Sequence, residues 1–480
     1  MAALTLTGFG PQDVDAVHEA SAAVLSRTGV KVESEEAAAI FHGGGADIEK
    51  QKNGFTVRIP RPLLEDCISW APDAFVMYGR DPAADFVVGP GSCCFTLFGE
   101  NVKVNDLYTG RQRPCTKADL GQATRVADAL DPIGVIEKCM GAHDKPADTQ
   151  SLHNYETMVT NTGKHVLHGF FSARNAHRIV DMASICVGGR EAFLKRPCVT
   201  SVVCPTSPLM LVKQCCDVIV ACAGLGVGLC AVSMPLCGTT APATMAGTLA
   251  VQNAELLSAL VLAQLKRRHT PFIYGSVATV TDLKSGSPAM GAPECGVFSL
   301  ASAQMARHYK IPSWCGTGNS GSKTPNAQSG YEYALNVFPA VAAGCNIVFG
   351  CGGIENGLTF DYAKMIMDVE HARNVLQLVK GMDLSDAAFA LDLIHAVGPG
   401  GEYLTSGHTL AHMRAMSRGD MFDRLQRQVW LDQLGGKDVV ERAYEKAREI
   451  LETHAPPPLP DGVAEEMRAI VEACEASDRH

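Results

Sequence analysis

Aromatic side chains are scarce: Phe, Trp and Tyr make up 6% of the 480 residues, and only three are Trp. Positive charge is neither abundant nor clustered. The net charge is −10, and no basic run is longer than Lys266–Arg268, which argues against a nucleic-acid partner. The segment Met1–Asp13 lacks a basic stretch followed by an apolar block, so no secretory leader is expected. C-x-x-C pairs are absent from the 18 cysteines, which leaves neither zinc spacing nor a disulfide framework. Most cysteines sit in apolar runs, where the thiol acts as a small hydrophobe. So many thiols suit a reducing cytoplasm, such as an anaerobe's. Charge is missing from Val218–Gly238, and none follows before Glu255. That is long enough for a membrane span, but Gly224, Gly226, Gly228 and Pro235 interrupt it. A buried helix, a turn and a buried strand are expected there instead. No G-x-G-x-x-G follows an early strand, which weighs against a doubly wound dinucleotide fold.

What is present is a repeat. The stretch Thr239–Ser276 shows its unit: an apolar helix over 243–266, closed by Lys266, Arg267 and Arg268 where a helix C-terminus favours cations, then the strand Pro271–Val277. Apolar residues fall all round that helix, so it cannot face water. Eight strands of this kind are expected: Cys93–Gly99, Gly134–Met140, His165–Phe171, Cys198–Cys204, Leu229–Pro235, Pro271–Val277, Pro312–Gly316 and Cys345–Gly350. Helical patterns alternate with them near 117–130, 151–162, 175–188, 208–223, 243–266, 294–309 and 327–343. Such alternation implies parallel pairing, and eight units close into a (β/α)₈ TIM barrel; an open doubly wound sheet is the alternative. The α/β chain thus divides into an N-terminal α+β layer (1–90), a barrel catalytic domain (91–355) and a helical C-terminal extension (356–480). The layer holds helices Pro11–Thr28, Ser34–His42 and Pro62–Trp70, a strand Phe55–Pro60, and a hairpin of Phe75–Tyr78 with Phe86–Val88. The extension holds helices Asp361–Lys380, Leu384–Ala396, His408–Arg418, Asp423–Leu434, Lys437–His454 and Val463–Ser477. A long helical tail on an apolar barrel favours a homo-oligomer.

Barrel chemistry sits at the C-terminal strand ends. Those ends collect Phe95, Phe98, His143, His168, Tyr274, Trp314, Asn319 and Phe349, with Phe360 in a loop close behind. The set is rich in rings and poor in paired carboxylates. Core filling accounts for any one ring; the set together reads as a pocket lining. A quaternary ammonium has no N–H to donate, and ring faces hold it by about 0.5–2 kcal/mol each. His143, His168, His408, Arg307 and Asn319 are candidates to fix a carboxylate on the same ligand. Lys138, also at a strand end, offers a different chemistry, a Schiff-base lyase. The glycine-rich runs Gly316–Gly321 and Gly350–Gly353 admit three readings: turns, a phosphate site, or close approach of a large flat cofactor.

Several motifs carry a resemblance: Tyr78-Gly-Arg-Asp-Pro82, Thr206-Ser-Pro-Leu209, Gly238-Thr-Thr-Ala-Pro-Ala-Thr-Met-Ala-Gly-Thr-Leu249 with Gln252-Asn-Ala-Glu255, Ala327-Gln-Ser-Gly-Tyr-Glu332, Thr359-Phe-Asp361 and Gly407-His-Thr-Leu410. Along nearly its whole length the chain resembles the trimethylamine methyltransferase superfamily, in its non-pyrrolysine, glycine-betaine-type branch. The resemblance implies a TIM barrel that moves a methyl group from a quaternary amine to the Co(I) corrinoid of a separate corrinoid protein. No cofactor is then bound permanently, no metal is held by the chain, and no general base is needed. Glycine betaine leads as substrate; proline betaine, carnitine, γ-butyrobetaine and choline are alternatives. A binding protein that only senses quaternary amines, and a zinc-dependent alcohol methyltransferase, are weaker ones. Pyrrolysine, carried by the trimethylamine enzymes, is absent, since all 480 positions are ordinary residues; the loop Gly316–Lys323 is the stretch guessed to be its counterpart.

Overall fold

A computed structural model describes residue 6 and residues 8–477. Eight parallel strands form the centre: β1 (Cys94–Leu97), β2 (Ile136–Glu137), β3 (Val166–His168), β4 (Val199–Val203), β5 (Gly228–Ser233), β6 (Phe272–Ser276), β7 (Ser313–Gly316) and β8 (Ile347–Cys351). Their order is β1-β8-β7-β6-β5-β4-β3-β2. The free edges of β1 and β2 meet through the Phe95 N–H on the Pro132 carbonyl at 2.9 Å and the Gly134 N–H on the Phe95 carbonyl at 3.1 Å. The Thr96 hydroxyl also donates to the Val135 carbonyl and accepts from the Glu137 N–H, both at 2.9 Å. These links close the sheet into a near-complete barrel with no long free edge.

The helices that follow the strands are α1 (Lys117–Asp128), α2 (Gln150–Thr160), α3 (Ala173–Cys186), α4 (Lys213–Leu225), α5 (Met245–Lys266), α6 (Pro293–His308), α7 (Ala327–Ala342) and α8 (Tyr362–Val379). Caps set several starts. Thr116 accepts from the Asp119 N–H before α1, and Asp361 from the Lys364 N–H before α8, each satisfying a donor the first turn leaves unpaired. Helix α5 has polar residues inside a buried surface, and each has a partner. Asn253 donates to Ser21 and Tyr309 and accepts from the Tyr274 hydroxyl. Gln252 bridges Ser302 and Ser276. Glu255 accepts from Ser207, Ser233 and the Leu209 N–H.

The outer side of α5 is covered by the N-terminal helices Pro11–Ala23, Glu35–Gly43 and Arg61–Trp70. This is why it is apolar all round, and why it is a core helix although long and apolar enough to cross a membrane. The layer also holds a four-stranded sheet, in the order Met210–Leu211, Val30–Val32, Phe55–Arg58, Asp47–Lys50. A hairpin of Phe75–Met77 and Phe86–Val88 plugs the barrel floor. Its Met77 and Val88 pack with Cys94, Ile347 and Ile273 of the barrel interior.

At the opposite end short strands build a rim. Gly353–Ile354, Thr359–Phe360, Lys103–Asn105 and Gln112–Pro114 form one sheet; Leu236–Cys237, Thr279–Asp282 and Ser287–Pro288 form another. In the C-terminal extension, Val439–Thr453 packs on α8 and α1, and Val463–Ser477 on α3 and α2. Between them and α8 the chain runs out as an arm. No residue from Leu376 to Arg442 is buried, and the expected helix Leu384–Ala396 splits into Asp386–Phe389 and Leu391–Val397 at Ala390.

Candidate functional site

The C-terminal ends of all eight strands surround one cavity of about 280 Å3. Its lining runs from Phe98, Gly99 and Glu100 after β1, through Glu137 and Lys138, Leu167 to Gly169, Val202, Cys204 and Pro205, Val232 and Met234, to Val277, Trp314 and Phe349. Three larger hollows, of about 440, 610 and 360 Å3, lie between the first helix and α5 and α6, beside the strand starts at the barrel floor, and between the Asp106–Gly110 loop and the helix Val439–Thr453. None gathers the C-terminal ends of the eight strands, where barrel chemistry is placed.

Side-chain alternation decides which rings reach the cavity. On β7, Trp314 points inward between outward-facing Ser313 and Cys315. Its register partner on β6 is Gly275, and Phe349 on β8 is paired with Gly316 on β7. Each large ring thus has a glycine beside it in register, and the space over those glycines is taken by Val232 and Val277. Trp314 and Phe349 lie with centroids 4.2 Å apart, and Phe349 and Phe98 4.8 Å apart. These three belong to the barrel interior. Phe95, Tyr274 and Phe360 do not: they lie in the outer core, between barrel and helices, and the Tyr274 hydroxyl donates to Asn253 at 2.9 Å.

The polar candidates divide as well. His143 is exposed on the loop after β2, with Nδ1 3.3 Å from Gln150 Nε2. His168 lines the cavity, but its Nε2–H donates to the Ser151 carbonyl at 2.8 Å, and its Nδ1 has no partner. Burial pushes its pKa down to about 3, so it is a neutral ring with an acceptor lone pair. Asn319 is buried beside Phe98 under the rim; its Oδ1 accepts from the Ser320 N–H at 2.8 Å and its Nδ2 has no partner.

The glycine-rich runs are filled by the chain itself. A Cβ on Gly350 would lie 2.5 Å from the Gly318 Cα, and one on Gly357 would lie 2.2 Å from the Phe98 ring. The loops after β7 and β8 thus pack backbone against backbone and seat Phe98 from above.

Three ionisable groups at the site, Glu137, Lys138 and Glu100, are unaccounted for by aromatic lining. Glu137 accepts from the Trp314 indole N–H at 2.9 Å, and burial holds its carboxyl well above the ordinary 4.5. The next residue, Lys138, donates to Glu100 at 2.6 Å and lies 5.1 Å from the Phe171 ring centre. Sequence reasoning passed over Glu137 and Glu100. The available signal was Glu137-Lys138 inside an otherwise apolar strand, where unpaired charge is costly. Among the described residues no group of three or more His, Cys, Asp or Glu is placed to hold a metal ion.

A family model described as trimethylamine methyltransferase (MTTB) matches residues 4–477. A trimethylamine methyltransferase MttB of Desulfitobacterium hafniense is 39% identical over 98% of this chain and 94% of that protein. One of Methanosarcina barkeri is 31% identical over 98% of this chain and 96% of that protein. A glycine betaine methyltransferase of D. hafniense is 31% identical over 95% of both. Among solved structures, the hydroxylamine complex of MtmB superposes with a TM-score of 0.51 at 14% identity, covering 92% of each chain; that likeness supports the fold.

Proposed function

The chain belongs to the trimethylamine methyltransferase (MTTB) family, and on that premise we propose that it demethylates a quaternary ammonium, glycine betaine first, delivering the methyl group to the Co(I) corrinoid of a separate protein. The observation that carries the reading is the cluster of Trp314, Phe349 and Phe98 on a small cavity at the open barrel end. A tertiary amine is a poor methyl donor until its nitrogen gains a fourth bond. A quaternary ammonium already has four carbons and leaves as a neutral amine, so no base or enzyme adduct is required. In the balanced step a C–N bond breaks and a C–Co bond forms. The pair on Co(I) enters the new bond, and the C–N pair stays on nitrogen.

The chain's own residues align and dry the methyl carbon. The rings grip the cation in the ground state, and positive charge leaves nitrogen as the methyl departs. Moderate binding therefore serves turnover better than tight binding. The apolar wall of Leu167, Val202, Val232 and Val277 keeps water away from a reaction that disperses charge. Exposed apolar side chains stand around the mouth: Val102 and Tyr108 after β1, Met234 after β5, Leu283 after β6 and Leu358 after β8. They support docking of a corrinoid protein over the cavity. The arm between α8 and Val439–Thr453 supports self-association, because Phe389, Leu391, Leu404 and Leu410 stand uncovered there.

The test is to mix the full chain with a corrinoid protein reduced to Co(I) and a panel of betaines, choline and trimethylamine. Methyl-cobalt absorbance with glycine betaine is expected. Absence of that signal with every quaternary amine would overturn the proposal.

A further inference from the structure

We propose that Lys138 anchors the carboxylate of a zwitterionic substrate, and that Glu100 holds its place on the ammonium until that carboxylate displaces it; the inference rests on the quaternary-amine reading above. The cavity lining contains one charged ammonium. His168 is neutral there, and His143 stands outside. A carboxylate brought into this cavity has no other cationic group to meet.

The pair Lys138–Glu100 is lopsided. Lys138 is 3% exposed, whereas the Glu100 side chain is 71% exposed. Among the described residues Glu100 is the only hydrogen-bond acceptor of the Lys138 ammonium. An ammonium carries three donors; beyond Glu100 the nearest recorded neighbour is the Phe171 ring, 5.1 Å to its centre, which leaves hydrogen-bonding capacity unused on a buried cation. Glu100 also sits at φ 73, a conformation that non-glycine side chains rarely adopt and that concentrates at ligand sites. Release of Glu100 costs little, because its carboxylate already stands in water.

The spacing suits a short zwitterion. Glu137 touches the Trp314 indole, and Lys138 is the next residue, about 3.8 Å on along the backbone. Strand β2 ends at Glu137, so strict alternation no longer drives Lys138 to the outer face. Rings at one end and an ammonium at the other would hold a quaternary nitrogen and a carboxylate a few bonds apart. Binding exchanges one charge-assisted hydrogen bond for another. Discrimination then falls on ligands that lack the carboxylate, such as choline or tetramethylammonium.

The experiment is calorimetric titration of the full-length protein and its Lys138→Met and Glu100→Gln variants with glycine betaine and with tetramethylammonium. Lys138→Met is expected to weaken glycine betaine by roughly 10- to 100-fold and to shift tetramethylammonium by less than about twofold. Glu100→Gln is expected to tighten glycine betaine selectively, since an amide competes less well for an ammonium. Equal loss of both ligands in Lys138→Met, or no loss of glycine betaine, overturns the anchor. Should Lys138→Met fail to fold by circular dichroism, Glu100→Gln decides: an unchanged ratio of the two affinities overturns the proposal. Wild-type protein that binds tetramethylammonium without preferring glycine betaine also overturns the anchor, while the cage survives. Protein that binds neither ligand and forms no methyl-cobalt overturns the parent reading instead.

Discussion

The inner and outer faces of the barrel wall carry similar side chains to different ends. Inside, Trp314, Phe349 and Phe98 lie against one another and reach the cavity. Outside, Phe95 and Tyr274 lie in a dry layer against the helices, and the Tyr274 hydroxyl is committed to Asn253. Two neighbouring strands show how little separates the two fates. Tyr274 pairs with Ser313, and the next position along pairs Gly275 with Trp314. One residue of register turns a packing ring into a lining ring.

The seam between the faces is where the largest effect is expected. Gly350 has φ 134, and its missing Cβ faces the Gly318 backbone. Gly350→Ala combines backbone strain with overpacking that no side chain can relieve, about 3–5 kcal/mol in all. Urea unfolding should show a lower midpoint at an unchanged slope. A variant as stable as wild type would mean that the two loops do not pack as described.

Next come substitutions that set the faces against each other. Tyr274→Ala should cost about 3–5 kcal/mol of stability and leave the affinity of the folded protein for tetramethylammonium within about twofold. Phe349→Leu should cost less, about 1–3 kcal/mol, but weaken tetramethylammonium by roughly 2- to 30-fold, the worth of one ring face. Unfolding curves and calorimetry on the same samples measure both. If the two variants changed affinity alike, the division of the barrel wall would lose its functional meaning.

This division also marks how far the sequence alone specifies the site. All eight strands and the seven helices between them lie within a few residues of their expected places, because the apolar runs repeat at a spacing that only βα units produce. The rim strands escaped notice; at two to four residues they are too short for periodicity to register. The arm was read as longer helices than it contains because its apolar residues resemble a buried face, yet none is buried. At the site, the difficulty was phase. The window Cys93–Gly99 holds a strand of only Cys94–Leu97, and Gly134–Met140 one of only Ile136–Glu137; a window wider than its strand cannot say which residues point inward. Phe95 and Phe98 were thus grouped together, although one faces helices and the other the cavity. Glu137 was missed for the opposite reason: buried carboxyls are rare enough that a lone one in an apolar run invites no chemistry until its partner, the Trp314 indole, is placed beside it.

The last contrast is in pH dependence, where wall groups oppose each other in sign. Glu137, on the cavity, has a folded pKa raised above 4.5 by burial. The folded state therefore keeps a proton that the unfolded chain releases. Its contribution to stability is fully present below about pH 4.5 and is lost as pH rises toward the folded pKa. His165, at the foot of β3, is pushed from 6.5 down to about 4 by burial, with Nδ1–H on the Tyr78 carbonyl and Nε2 accepting from Thr200. Its contribution is present above pH 6.5 and is lost as pH falls toward 4, by about 2–4 kcal/mol in total. Glu137→Gln should remove the decline on the alkaline side and leave the acid-side loss intact. Stability measured from pH 4 to 9 would show this, and an unchanged alkaline slope in Glu137→Gln would place the carboxyl in water, not behind the indole. The consequence reaches the ligand. A cation seated on the rings lies near that carboxyl and favours its ionised form, so binding should release a proton. Titrations in buffers of different ionisation enthalpy would detect the release in wild type, and Glu137→Gln should abolish it.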